Sequence, residues 1–262
     1  MLNILYEDSQ LMVTVKPAGV ESQSSSGFGQ DMVSLIRNEL MKRERQKTEK
    51  ICTELSTNWG KLSTKPVEKS LLAQTPYVGV IHRLDKPVSG IMVYAKTKTA
   101  AAALSRQVQE GKMKKIYLAV VCGNPVDKEG HWVDYLRKED RGNLSRIVDK
   151  NCEGAKRAEL SYTVLGQCTR ENQEYSLVKI QLDTGRHHQI RVQFSSRNLP
   201  LWGDGRYHSQ AENGAWKGKI ALCAAGLSFV HPKTKKVMAF SVRPCEGAFS
   251  WFGEMTDPSC WN

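Results

Sequence analysis

Apolar residues along this chain fall mostly into short clusters rich in β-branched side chains, broken by turn residues, with helical spacing in only a few places. Ile4-Leu5-Tyr6 and Leu11-Met12-Val13-Thr14-Val15 flank Glu7-Asp8-Ser9-Gln10, whose side chains favour turns, so the chain opens on a predicted hairpin. Lys16-Pro17-Ala18-Gly19 ends its second strand. Met32, Leu35, Ile36 and Leu40 lie at helical spacing behind Asp31, which suits an N-cap. Over about 41–70 the apolar pattern fades. Lys42 to Lys50 is dense in charge, and polar residues with Gly60 and Pro66 follow, which predicts a solvated helix extension and then a mobile loop.

Beyond it, Ile91-Met92-Val93-Tyr94-Ala95 predicts a strand, and Thr99 through Ala103, Leu104 and Val108 a helix. Ile116-Tyr117-Leu118-Ala119-Val120-Val121 predicts a buried strand, closed by Gly123-Asn124-Pro125. Further strands fit 160–165, 175–182, 227–230 and 237–241, and a helix carrying Ile190, Val192 and Phe194 follows Gly185. Strands dominate, no βα unit repeats, and no internal repeat is present. The expected class is α+β with a mixed, mainly antiparallel sheet.

Composition leaves this picture of a globular protein in place, with 40% hydrophobic and 25% charged residues. Charge changes it. Lys and Arg number 38 against 27 Asp and Glu, a formal net charge of +11. Such a surplus favours a polyanionic partner, because each phosphate neutralised releases condensed counterions. The seven cysteines are an odd number with no zinc-like or disulfide-like spacing, which fits a reducing compartment. The start lacks a basic region and a long apolar core, and no apolar run reaches a membrane span. A soluble, cytoplasmic protein with no membrane partner is expected.

Candidate chemistry gathers in His82-Arg83-Leu84-Asp85-Lys86-Pro87-Val88-Ser89-Gly90, a loop between two predicted strands. Alone, Asp85 would read as a turn residue capping its own backbone. His187 and His188 invite a metal, but adjacent positions on a helix point apart and no Cys or carboxylate follows at ligand spacing, so no metal is expected. Lys86, Lys96, Lys98, Arg106, Lys112, Lys114 and Lys115 surround these segments as a basic envelope suited to phosphates.

His82-Arg83-Leu84-Asp85 followed by Ser89-Gly90 and the strand to Ala95-Lys96 resembles the signature of the RluA-type pseudouridine synthases. Four further stretches fall in that family's order. They are Lys16-Pro17-Ala18-Gly19, Lys115-Ile116-Tyr117-Leu118-Ala119, Gly185-Arg186-His187-His188-Gln189-Ile190-Arg191 with Pro200-Leu201-Trp202-Gly203-Asp204 behind it, and Leu222 to Pro232. Cys223 stands where many relatives carry His. The resemblance spans roughly residues 2–241.

The resemblance implies the pseudouridine synthase fold, with helices and loops flanking the central sheet around a central cleft, in one catalytic domain over 1–262 with a charged insert at about 41–70. A small RNA-binding domain that many relatives carry ahead of the catalytic one is expected to be missing, and the protein is expected to be a monomer. The implied reaction turns uridine into pseudouridine in ribosomal or transfer RNA without a cofactor. Asp85 would act at the sugar, as nucleophile or as base, and Arg191 would hold its carboxylate through two hydrogen bonds. Tyr117 would stack on the freed uracil and could help remove the ring proton. Arg83 would fill the space a flipped base leaves. His82, Leu84, Arg186 and Gln189 would contact RNA or shape the site, and Leu222 would pack on the uracil. Two readings compete with this: a non-catalytic RNA-binding or chaperone module, and a glycosidase working through Asp85, with Asp183 reading as a strand-end residue and not as its partner acid.

Overall fold

The short β-branched clusters become strands of one sheet in the computed structural model, which describes residues 2–24, 30–58, 75–140, 142–208 and 220–261. The sheet has eleven strands among those residues. β1 (Asn3–Glu7) and β2 (Leu11–Lys16) form the expected hairpin, and β2 pairs with β4 (Ser89–Ala95). β4 runs parallel to β10 (Leu222–Val230), the one parallel pairing among these strands. The sheet continues through β5 (Lys114–Cys122), β9 (Gln173–Leu182), β8 (Lys156–Arg170), β6 (Glu129–Lys138) and β7 (Ser145–Ile147). The short β3 (Gly79–Val80) pairs with β4, and β11 (Val237–Ser241) with β10. The class is α+β, as expected.

Side chains alternate between the two faces. Met12, Met92, Tyr94, Tyr117, Ala119 and Val178 enter one apolar cluster with Met32 and Ile36 of α1 (Met32–Asn58) and Ile190 and Phe194 of α3 (Gln189–Ser195). Their neighbours turn the other way. Leu11, Val13, Ile91 and Val93 pack with Leu104 of α2 (Lys98–Gln109), while Leu118, Val120 and Leu177 meet Phe249, Phe252 and Trp261 from the C-terminal 3₁₀ turns. Asp31 caps α1, its Oδ1 accepting from the Ser34 amide at 2.7 Å. The charged stretch prolongs α1 to Asn58. The loop expected after it falls largely within 59–74, outside the described residues.

β6 and β7 were not anticipated from the sequence pattern. β6 leaves alternate positions in water and buries Trp132 only partly, so its apolar residues do not form a clean run. It nonetheless positions α3. The ring of Trp132 lies 4.7 Å from Phe194 and 4.5 Å from Tyr162, and the Arg197 guanidinium sits 4.3 Å above it. Aromatic pairs of this kind contribute roughly 0.5–1.5 kcal/mol each beyond their burial. They clamp the short α3 against the sheet.

Gly90 is needed where β4 meets β10. It has φ of +131°, and a Cβ there would lie 2.4 Å from the Ala224 carbonyl oxygen and 2.5 Å from its nitrogen. Gly90→Ala should therefore destabilise the fold by roughly 3–4 kcal/mol. Urea unfolding followed by tryptophan fluorescence measures this, and a midpoint equal to wild type would show that the two strands can part freely.

Candidate active site

Asp85 reaches the sheet's α1/α3 side on a loop that the chain's beginning holds in place. Ser22 hydroxyl donates to the Leu84 carbonyl at 2.8 Å and accepts from the Leu84 amide at 3.0 Å. The Gly19 amide donates to the Lys86 carbonyl at 2.8 Å. Lys16, on the same face of β2 as Met12, is fully buried, and its Nζ donates to the carbonyls of Pro17, Val20 and Lys86 at 3.0, 2.6 and 3.1 Å. Burial pushes its pKa down to about 8, against the opposing pull of Asp85. The Asp85 carbonyl accepts from Val88 at 3.0 Å and closes the turn. Leu84 is thereby sealed in the core while its neighbours Arg83 and Asp85 face outward.

Arg191 projects from α3 and is 3% exposed. Its Nε and one terminal nitrogen grip Asp204, itself 1% exposed, at 2.8 and 2.7 Å. The remaining nitrogen approaches Asp85 Oδ2 at 3.4 Å. The two-pronged grip expected for Asp85 thus belongs to Asp204, because a fully buried carboxylate must be paired while Asp85 is partly open to solvent. Burial opposes the charge on Arg191, but the hydrogen bonds and charge of Asp204 more than offset it, and its pKa is raised.

His188 is the second neighbour of Asp85. It caps α3 in the left-handed conformation, with φ of 54°, and this turns its ring inward, with Nε2 3.5 Å from Asp85 Oδ2. Its Nδ1 is 2.8 Å from the Tyr207 hydroxyl, which already accepts from the Ser145 amide at 2.8 Å. The Tyr207 proton is then free for Nδ1, which leaves the His188 hydrogen on Nε2, facing Asp85. His187 stacks on His188 at 3.8 Å and meets Ser145 Oγ through Nδ1 at 2.8 Å. Arg191 and His188 thus converge on the same oxygen, Oδ2, while Oδ1 has no hydrogen bond to any described residue.

Asp85 lines a cleft of about 580 Å³ together with Arg83, Leu84, Lys115, Tyr117, Arg186 and Leu222. This falls in the usual range for small-ligand sites. His82, Gln189, His188 and Arg191 border it too, so the cleft collects every residue that the resemblance gave a role at the site, while of the basic envelope only Lys115 lines it. Val88, Leu182, Ile190 and Leu222 give it apolar walls. Tyr117 is nearly buried, and burial, then the Asp85 charge, push its pKa up. It is held as a phenol, a ring and a donor, which argues against its removing a ring proton as phenolate. Arg83 is exposed at the rim. His82 accepts from the Val93 amide at 3.4 Å, and burial followed by the Lys115 charge lowers its pKa to about 3, so it is uncharged. Arg186 donates from Nε to the Arg157 carbonyl at 2.8 Å.

Gln189 shapes the site through its own hydrogen bonds. Its Oε1 accepts from Thr184 Oγ1 at 2.7 Å and the Arg186 amide at 3.0 Å, and its Nε2 donates to the Glu159 carbonyl at 3.0 Å. A buried amide must find such partners, and here they are the turn that leads into α3 and the backbone of β8. Lys16, Ser22, Asp204 and Tyr207 had no role at the site in the sequence, and His188 was considered there only as a metal ligand. Asp204 and Lys16 do lie in stretches singled out there, and charged residues inside apolar segments are the signal that could have marked them.

The family model for RNA pseudouridylate synthases matches residues 10–196. An uncharacterized RNA pseudouridine synthase of Aquifex aeolicus is 31% identical over 97% of this chain and 73% of its own length. The ribosomal large subunit pseudouridine synthase D of Neisseria meningitidis is 32% identical, covering 91% of this chain and 57% of that protein. The chain therefore spans between about half and three quarters of these relatives. The solved structure of human RNA pseudouridylate synthase domain containing 1 superposes with a TM-score of 0.66 at 20% identity, covering 100% of this chain and 88% of that one, a likeness of fold.

Removing one partner of the Arg191–Asp204 pair should be costly. Asp204→Asn should lower stability by about 3–5 kcal/mol, read by urea unfolding, since it leaves a buried guanidinium without its counter-charge. Acid should weaken the fold through His188. Burial, aided by Arg191, pushes its pKa from the ordinary 6.5 to about 3. Across that window the unfolded chain binds a proton that the folded chain refuses, so stability falls as pH drops. His188→Asn should flatten the loss between pH 6 and 4 by up to about 1.4 kcal/mol per pH unit. An unaltered slope would mean that His188 becomes charged within the fold.

Proposed function

The chain belongs to the RNA pseudouridylate synthase family, and on that premise we propose that it isomerises uridine to pseudouridine in structured RNA, with Asp85 acting on the ribose. The observation that carries this reading is a carboxylate with one oxygen approached by Arg191 and His188 and the other without a hydrogen bond to any described residue, in a cleft that Tyr117 also lines. The free oxygen can bond to the anomeric carbon as the glycosidic bond breaks, or take the proton from the adjacent sugar carbon. Either way uracil leaves through ring nitrogen one, turns within the cleft, and rejoins the sugar through carbon five, as the bond from Asp85 to the anomeric carbon breaks or Asp85 returns its proton to the sugar. The proton lost from carbon five balances the one gained at nitrogen one.

The other groups fit this sequence of events. Apolar walls from Leu222, Val88 and Ile190 hold a detached base without fixing its orientation, and the Tyr117 ring offers a face for stacking. A uridine must leave its stack to enter the cleft, and Arg83 at the rim is placed to occupy the gap. We assign the substrate to ribosomal or transfer RNA and the catalytic unit to one domain over 1–262, in keeping with a sheet that runs from β1 to β11. A glycosidase would require a second carboxylate in the cleft. Among the described residues only Asp183 lines it besides Asp85, and that residue is exposed at the end of β9.

Release of tritium from RNA transcripts labelled at uracil carbon five tests the proposal. Wild type should release tritium with the chain intact, whereas a hydrolase would leave abasic sites and a binding module would release none. Asp85→Asn should lower release by at least about a thousandfold while keeping RNA affinity within a few fold of wild type. Turnover by that variant at the normal rate would remove Asp85 from the reaction.

A further inference from the structure

Lys115 has no role in the reaction described above. It lies two residues before Tyr117 on β5 and so shares its face of the sheet. Its side chain lines the cleft and reaches the turn before α3, where its Nζ lies 3.4 Å from the point a Cβ on Gly185 would occupy. The two carboxylates of the cleft, Asp85 and Asp183, are both out of ion-pair range, and no described residue offers it a hydrogen bond. Burial alone lowers its pKa, with no acidic group acting against it. Beside it, His82 Nδ1 is sealed from solvent and has no partner among the described residues. Val93 donates to the other ring nitrogen, so Nδ1 carries the hydrogen.

We propose that Lys115 is an anion-recognition residue inside the cleft, and that its ammonium takes a phosphate oxygen next to the flipped uridine. The inference rests on the RNA-modifying reading of the site. An ammonium drawn partly out of water with no counter-ion costs free energy, and a full anion repays that cost better than a neutral carbonyl of the base. RNA brings such an anion with every nucleotide. The ammonium lies against the turn at Gly185, within van der Waals distance of where a side chain there would begin. The other lysines of the basic envelope can add to general attraction from outside, whereas Lys115 acts on one phosphate at a defined place.

A cycle of chemical and protein substitutions tests this. The probe is a fluorescein-labelled hairpin RNA with one loop uridine, made with normal linkages or with an uncharged methylphosphonate on the 5′ or the 3′ side of that uridine. Binding is measured in the Asp85→Asn background, so that nothing turns over. Lys115→Met should weaken binding of normal RNA by about tenfold and reduce the slope of log affinity against log salt by about 0.7–0.9. One methylphosphonate should weaken the Lys115-containing protein equally and leave the Lys115→Met protein unaffected. Lys115→Arg should bind like the parent, and thermal melting should show both variants folded; if Lys115→Met is not, Lys115→Gln replaces it in the cycle. Additive losses at both linkages, or an unchanged salt slope, would overturn the assignment while leaving the Asp85 chemistry standing. A protein that binds none of these RNAs at low salt would overturn the reading on which it rests.

Discussion

The site depends on how one buried guanidinium is divided. Arg191 gives two nitrogens to Asp204 at 2.7–2.8 Å and only a longer 3.4 Å contact to Asp85. The first pair is sealed in the core, where an ammonium or guanidinium without a partner would cost several kcal/mol. Asp204 therefore does not compete with Asp85 for Arg191 so much as make it possible to bury the arginine at all. With its plane fixed by two hydrogen bonds, Arg191 can present its last nitrogen to Asp85 without searching among rotamers. The 4.5–4.7 Å aromatic contacts of Trp132 with Tyr162 and Phe194 transmit the same constraint to the helix that carries it. A catalytic group held in this way needs little reorganisation when charge moves during a reaction.

The opposite wall is fixed by different means. Lys16 and Ser22 hold the Asp85 loop through backbone groups on either side of the aspartate, Leu84 and Lys86. Side-chain contacts to backbone position the loop whatever residues face the cleft, so Arg83 and Asp85 are free to point outward. Asp85 thus stands between two independently anchored elements, the β2 extension on one side and α3 on the other. Movement of either would change the distance from Asp85 to Arg191, and neither element can shift without breaking buried hydrogen bonds.

Much of this was legible in the sequence. Period-two clusters located most of the central strands, Asp31 marked the start of α1, and the stretches around Asp85, Tyr117 and Arg191 do converge on one cleft. What stayed hidden shares a physical reason. β6 and β7 lie toward the solvent-facing end of the sheet, where half-exposed positions blur the alternation that reveals a strand. The grip of Arg191 follows from which carboxylate the fold buries, and no local pattern shows which of two aspartates, 119 residues apart, a given arginine will hold. His188 escaped because its role follows from a left-handed backbone at the helix start, a conformation that residue type alone does not announce.

Charge and hydrogen are borne by different residues in the cleft, and this bears on which reaction it can support. Arg83, Lys115, Arg186 and Arg191 with Asp85 and Asp183 are the charged side chains that line it, while burial and neighbouring cations lower the pKa values of His82 and His188 to about 3 and burial keeps Tyr117 a phenol. At neutral pH none of the three is poised to exchange a proton with substrate. Hydrolysis of a glycosidic bond asks for an acid for the leaving group and a base for water. The rearrangement asks for less. Its leaving group stays in the cleft and returns, and the proton it sheds at carbon five is matched by one taken up on the ring. A single unencumbered carboxylate oxygen, among hydrogen-bond donors and apolar walls, suits that chemistry and leaves hydrolysis without its second partner.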